Sequence, residues 1–439
     1  MLAYLLTKSG RRVATPALLI VVCLAHAEPA FAQGAAAAPP EPEPTPAPAP
    51  APAPAPTPAS PAQTSPFVPP APPEENSRFK VMPTGYVEAF YAYNLNRPSN
   101  GITNYRGFDN RHNTFSLSNA ALGANWEAGP VGGRIMLQVG STPSSYYSGE
   151  PSLAGTDGAN ASSPGLWKYL QEAFVTYKAP VGRGLLLQLG LCASPIGFES
   201  FAVKDNWNWS RSNLFVGLPF YHTGLRATYE WTDELSTTVS VFNGWNNVVD
   251  SSEEKSVQAN ITYKLPAKLL LQALYFGGIE RPTGAAEGPF WRHHFDVVAQ
   301  VDPTTWLSFA GQGDYGWEPN RLGTSSWASG ALYARVKPID HVYVAVRGDR
   351  FHENLATAAG GRASSPLFWG GVEWVSSGTA TLDVRPSDQL SIRLEYRHDA
   401  AEAPMFFGRN VQGGGTSDAP YVANAKTQDT ILLGGTAWF

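Results

Sequence analysis

The side chains best suited to chemistry in this chain are scattered rather than gathered into a motif. His293 and His294 are neighbours, and His352 precedes Glu353. A zinc-binding helix would need a second histidine four residues after the first, and Ala356 stands there instead. Adjacent residues of a strand point to opposite faces, so His293 and His294 do not share a metal ion and read as rim residues. Neither a G-x-S-x-G nucleophile turn nor a glycine-rich phosphate loop occurs. A pair such as His222 with a distant serine stays open, but nothing singles it out. The expectation is no enzyme, no catalytic residue, no metal and no cofactor.

The remaining chemistry is electrostatic and periodic. Polar residues recur at every second position of many short segments, among them Glu88, Asn119, Gln138, Gln188, Gln258, Gln300, Asp314 and Arg335. Arg134, Glu172, Arg226, Glu230, Asp296, Arg347, Arg393 and Glu395 are the charged members expected to line a water-filled interior. Both signs are present, which argues against strong selectivity for one ion. A second concentration lies in residues 194–218, where Phe198, Phe201, Trp207 and Trp209 are mixed with Glu199, Lys204, Asp205 and Arg211. Two readings stay open there. The segment folds inward, with those four charged residues setting the field at a constriction, or it packs on an outer rim through its own aromatics.

These residues need an element that gives every second side chain one polar face. Leu390-Ser391-Ile392-Arg393-Leu394-Glu395-Tyr396-Arg397 alternates in this way, and so does Ser256 to Tyr263. Such segments run from Thr84 onward, separated by breaks that are short and long in turn. Short breaks include Ala128-Gly129-Pro130, Leu265-Pro266-Ala267 and Arg385-Pro386-Ser387-Asp388. Long polar ones fall near 97–112, 141–167, 194–218, 246–253, 278–290, 318–325, 351–371 and 399–425. Seven short and eight long breaks separate 16 strands. Short turns on one side and long loops on the other are the pattern of a transmembrane antiparallel β-barrel with periplasmic turns. The fold class is therefore all-β.

Composition agrees. Charged residues make up 15% of the chain and aromatics 12%, against about 25% charge in a soluble domain. No segment after the first thirty residues approaches the roughly 20 apolar residues of a spanning helix. Backbone groups in lipid need internal partners, which leaves closed β-structure. The formal charge of −5 offers no basic face for nucleic acid. Lys8, Arg11 and Arg12 precede the apolar run Val13–Ala25, and Ala30-Phe31-Ala32 has the small-x-small cleavage pattern. Residues 1–32 thus read as a signal peptide for export through the periplasm. Residues 33–78 read as a disordered Pro/Ala-rich periplasmic linker. Alternating proline holds such a chain extended, at roughly 3.1 Å per residue. Residues 79–439 form the barrel. Cys23 falls in the leader, and Cys192 reads as a small packing residue.

Trp126, Tyr177, Trp231 and Tyr263 each precede a short turn on the apolar parity, where an interfacial aromatic girdle belongs. The last strand ends on Phe439, which resembles the insertion signal of outer-membrane barrels. Gly85-Tyr86-Val87-Glu88-Ala89-Phe90-Tyr91, Gln171-Glu172-Ala173-Phe174-Val175, Ser210-Arg211-Ser212, Pro219-Phe220-Tyr221-His222-Thr223-Gly224 and Val241-Phe242-Asn243-Gly244-Trp245 extend the likeness. Through these segments the chain resembles the putative β-barrel porin-2 (OmpL-like) family over roughly residues 84–439. The resemblance implies a water-filled outer-membrane channel for passive diffusion of small hydrophilic solutes, inserted by the barrel-assembly machinery. It also leaves room for a homotrimer. The alternatives are a structural or binding barrel whose linker ties outer membrane to cell wall, or a barrel enzyme.

Overall fold

The computed structural model describes residues 79–153, 162–252 and 254–439. The expected leader and linker lie outside the described residues. The first eight strands are β1 (Lys80–Asn94), β2 (Thr114–Ala128), β3 (Val131–Val139), β4 (Leu170–Ala179), β5 (Leu185–Ala193), β6 (Tyr221–Glu230), β7 (Leu235–Phe242) and β8 (Ser256–Leu265). The others are β9 (Leu269–Ile279), β10 (Trp291–Val301), β11 (Leu307–Asn320), β12 (Gly323–Ile339), β13 (Val342–Asn354), β14 (Trp374–Ser387), β15 (Leu390–Ala401) and β16 (Thr427–Trp438). Each pairs antiparallel with its sequence neighbours, and β1 pairs with β16 to close a 16-stranded barrel. Closure removes every free edge, so the ladder satisfies the strand backbone from within.

The seam sets Tyr86 opposite Trp438 and Asn94 opposite Thr430. Phe439 extends it by one residue. Its amide donates to the Gly85 carbonyl at 3.0 Å, and its own carbonyl accepts from the Gly85 amide at 3.3 Å. A Cβ on Gly85 would stand 2.9 Å from the Phe439 ring and 2.9 Å from the Ala121 carbonyl. Glycine is required at that close approach.

One expected loop is a turn instead. The polar residues near 318–325 suggested a long break, but β11 and β12 run through it, pairing Pro319 with Thr324 and Asn320 with Gly323. Only Arg321 and Leu322 lie between the two strands. Glu318 is polar for a different reason: it points inward and accepts from Arg281 and Arg292 at 2.7 Å each. Pro338 and Pro386 sit at register shifts between β12 and β13 and between β14 and β15, where a missing N–H is tolerated.

The outer surface is apolar. Leu122, Val175, Leu189, Val239, Val297, Leu332 and Leu394 all point out and are exposed. A continuous band of this kind marks a lipid-facing wall rather than a water-facing one. Tyr177, Trp231 and Tyr263 are exposed near the short-turn end, and Trp126 packs beside Phe79 at 6.5 Å between ring centroids.

The inside differs between the two ends. Toward the long loops it is filled with aromatic and aliphatic side chains. One cluster joins Ile196, Leu218, Trp245, Phe276, Trp327, Phe351, Trp369 and Phe406. Another joins Phe108, Tyr146, Tyr147, Phe215, Phe220 and Tyr221. Many of these residues come from loops, so alternation along strands does not announce them. Cys192 is buried in the first cluster as a free thiol, as its packing reading expected.

Candidate functional site

Residues 194–220 connect β5 to β6 and run across the barrel interior. Their only regular pieces are a 3₁₀ turn at Val203–Asp205 and a single helical turn at Asn213–Val216. Backbone left outside regular structure needs partners when buried, and the inward side chains of the wall supply them. The Pro195 carbonyl accepts from Gln272 of β9 at 2.9 Å. The Gly197 amide donates to Asp296 of β10 at 3.3 Å, and the Phe198 amide to Gln312 of β11 at 2.8 Å. Val203 donates to Glu88 of β1 at 2.6 Å. The amides of Trp209 and Ser210 both donate to Glu395 of β15, at 2.6 and 3.0 Å.

Cations of the wall hold the carbonyl side of the same segment. Arg393 donates to the carbonyls of Val203 and Asn208 at 3.0 Å each. Arg347 of β13 donates to Glu199 at 2.6 Å and to the hydroxyls of Ser210 and Thr379 at 3.1 Å each. Hydrogen bonds to ionised partners are the strong kind, and a low-dielectric interior strengthens them further. Trp209 fits because Gly434 of β16 has no side chain; a Cβ there would stand 2.4 Å from the indole.

The residues singled out in the sequence therefore separate into two sets. Asp296, Arg347, Arg393 and Glu395 face inward but are buried against residues 194–220. Arg134, Glu172 and Arg226 face inward on the opposite arc of the wall and stay partly exposed, and Glu230 is exposed near the turns. Arg134 pairs with Glu172 at 2.6 Å. Of the four charged residues of the segment, Glu199 and Arg211 are buried. Glu199 is engaged by Arg347, and Arg211 donates to the carbonyls of Phe201 and Trp209. Lys204 and Asp205 pair with each other at 2.8 Å, and the Asp205 side chain is 50% exposed.

The histidines take structural places. His293 and His294 point to opposite faces: His293 meets the Tyr275 hydroxyl at 2.9 Å, and His294 meets Asp314 at 3.1 Å. Among the described residues no group of three metal-ligating side chains comes together. His222 Nε2 lies 3.3 Å from Ser194 Oγ, and its Nδ1 faces the Gly244 carbonyl at 3.1 Å. The ring stacks on Phe242 at 4.3 Å and has no exposed surface.

The first long loop, residues 95–113, adds a buried ion pair that sequence reading missed. Arg106 pairs with Asp109 and donates to Thr430 at 3.2 Å. Burial opposes ionisation of Asp109, but the adjoining Arg106 charge outweighs it and holds the carboxyl below its usual range. Phe108 of this loop packs edge-on to Phe215 at 5.7 Å, so the first loop rests on the third. Spacing carried no sign of this burial, because Thr430, which accepts from Arg106, lies 324 residues further along the chain.

Residues 80–434 match the family described as putative beta-barrel porin-2, OmpL-like. The chain belongs to this family. The barrel of this OmpL-like porin is similar to solved outer-membrane structures. One is the outer membrane channel DcaP of Acinetobacter baumannii, at TM-score 0.52 and 12% identity, covering 82% of this chain and 97% of that one. Another is an anion-selective porin from Comamonas acidovorans, also at TM-score 0.52 and 12% identity, covering 82% and 100%. OmpT of Vibrio cholerae aligns at TM-score 0.50 and 9% identity, covering 82% and 98%. Identities this low speak for the fold alone. No curated protein matches the chain in sequence. Family and architecture together make it a porin-type barrel of the bacterial outer membrane.

Proposed function

We propose that this barrel is a non-enzymatic channel for passive diffusion of small hydrophilic solutes, narrowed by residues 194–220. The observation that carries the reading is the asymmetry of the inner wall. On the β10–β15 side Asp296, Arg347, Arg393 and Glu395 are covered by that segment, whereas Arg134, Glu172, Gln188, Arg226 and Thr228 on the β3–β6 side stay partly exposed. The solute path runs along this uncovered arc, and Lys204 and Asp205 are charges that the segment leaves partly exposed. Residues 1–32 direct export, residues 33–78 span the periplasm toward the cell wall, and Phe439 serves the assembly machinery as an insertion signal. A homotrimer is the assembly we favour. The Vibrio cholerae OmpT structures, of similar fold, include one described as a trimer form.

Purified protein in a planar bilayer tests the central claim. Stepwise conductance is expected, and a bilayer silent at all voltages would sink it. Deleting residues 35–73 tests the linker separately: envelope attachment should weaken while solute permeability stays the same.

A further inference from the structure

Between the third loop and the short turns, β12 to β15 bring three guanidinium groups to one region of the inner wall. Arg385 donates to Asp383 Oδ2 through Nε at 3.0 Å and Nη2 at 2.9 Å. Arg393 Nε lies 3.4 Å from the same oxygen. The other oxygen of Asp383 accepts from Ser391 at 2.6 Å. Asp383 is thus fully used by two arginines and a hydroxyl, and nearby Asp302 accepts from Gln300 at 2.9 Å.

Arg335 is left over. Among the described residues no carboxylate lies within ion-pair distance of it, and no acceptor within hydrogen-bond distance. Its guanidinium is held instead by aromatic faces, 4.5 Å from the centroid of Trp207 in the third loop and 5.4 Å from that of Tyr343 in β13. Arg385 lies 4.9 Å from the same Tyr343 ring. Stacking uses the face of a guanidinium and leaves its in-plane N–H donors free. Arg335 is only partly buried, so those donors are reachable. Buried Arg393 adds a second unmet donor, because its Nη2 has no partner. Free in-plane donors on a cation are the complement of a carboxylate.

We propose that Arg335 and Arg385, braced by Trp207 and Tyr343, form a binding site for a small organic carboxylate, entered from the short-turn end of the barrel. The place of this site in transport rests on the channel reading, but binding itself does not. Isothermal titration of the folded protein with malonate, and with uncharged malonamide of like shape, tests it. Malonate should bind at least tenfold tighter than malonamide. R335Q should lose tenfold or more of malonate affinity, and R335K, which keeps the charge but not the planar fork, should fall between. Both variants should keep the heat-modifiable gel shift of a folded barrel. Equal binding of malonate and malonamide, or unchanged affinity in R335Q, would overturn the site. Swelling of liposomes holding the wild-type protein in arabinose reports the channel independently: malonate binding without swelling would reject the channel and leave the site standing.

Discussion

At the scale of single residues, stability inside this barrel depends on charges that are buried together. Arg347 lies against Glu199 at 2.6 Å and Asp349 at 3.6 Å with almost no exposure. Removing one partner of a buried pair costs about 3 kcal/mol or more, because the remaining charge has lost its counterpart. R347A should therefore destabilise the protein by about that amount, measured by urea unfolding in lipid with tryptophan fluorescence. The Arg106–Asp109 pair predicts an acid response. The Asp109 carboxyl is held low when folded, so its contribution is fully present above the ordinary aspartate range, near pH 4. It is lost as pH falls through the lowered value. The first loop should be released below that range, seen as faster proteolysis between residues 95 and 113. D109N should show the same release already at neutral pH and lose the acid step.

At the scale of elements, the third loop is held by wall carboxylates that accept its amides. Glu395 takes two of them and a bond from Thr381 at 2.7 Å. E395A should free residues 203–210 from the wall, giving noisier and larger single-channel steps while the strand signal in circular dichroism persists. The glycine facing the same loop acts by absence. A side chain at Gly434 has no space beside Trp209, so G434V should expel the indole and expose Trp209 to an aqueous quencher. Unchanged quenching would place the loop elsewhere. The hairpin at 321–322 shows the opposite design, in which long strands leave no loop at all.

At the scale of the whole molecule, one polypeptide divides two solvents. Outward Leu394 sits mid-strand and exposed, while inward Arg393 and Glu395 beside it are buried under the third loop. A charge on the lipid face near mid-membrane costs about 2–4 kcal/mol. L394R should reduce insertion and lower the unfolding midpoint in lipid by an amount of that order. A matched polar substitution at exposed, inward Glu230 should have little effect. The loop end of the barrel is packed with aromatics from five or more chain segments, whereas the turn end keeps its polar wall open.

Alternation along Leu390–Arg397, the spaced turns and the terminal aromatic determined a closed antiparallel barrel, its strand number and its inward and outward faces. Those properties are local: period-two patterning and turn chemistry act over a few residues, and a membrane punishes any departure from them. The same logic misread 318–325, because Glu318 is as polar inside a strand as it would be in a loop. Which inward charges meet water was a different matter. Glu395 and Arg226 have the same parity and the same kind of signature, yet one anchors loop amides and the other lines an uncovered wall. The difference comes from where residues 194–220 travel, and that path depends on contacts such as Val203 to Glu88, 115 residues apart. Only closure of the barrel brings such partners together. So the sequence supplied the wall and its two faces, and the tertiary structure decided how the interior is filled.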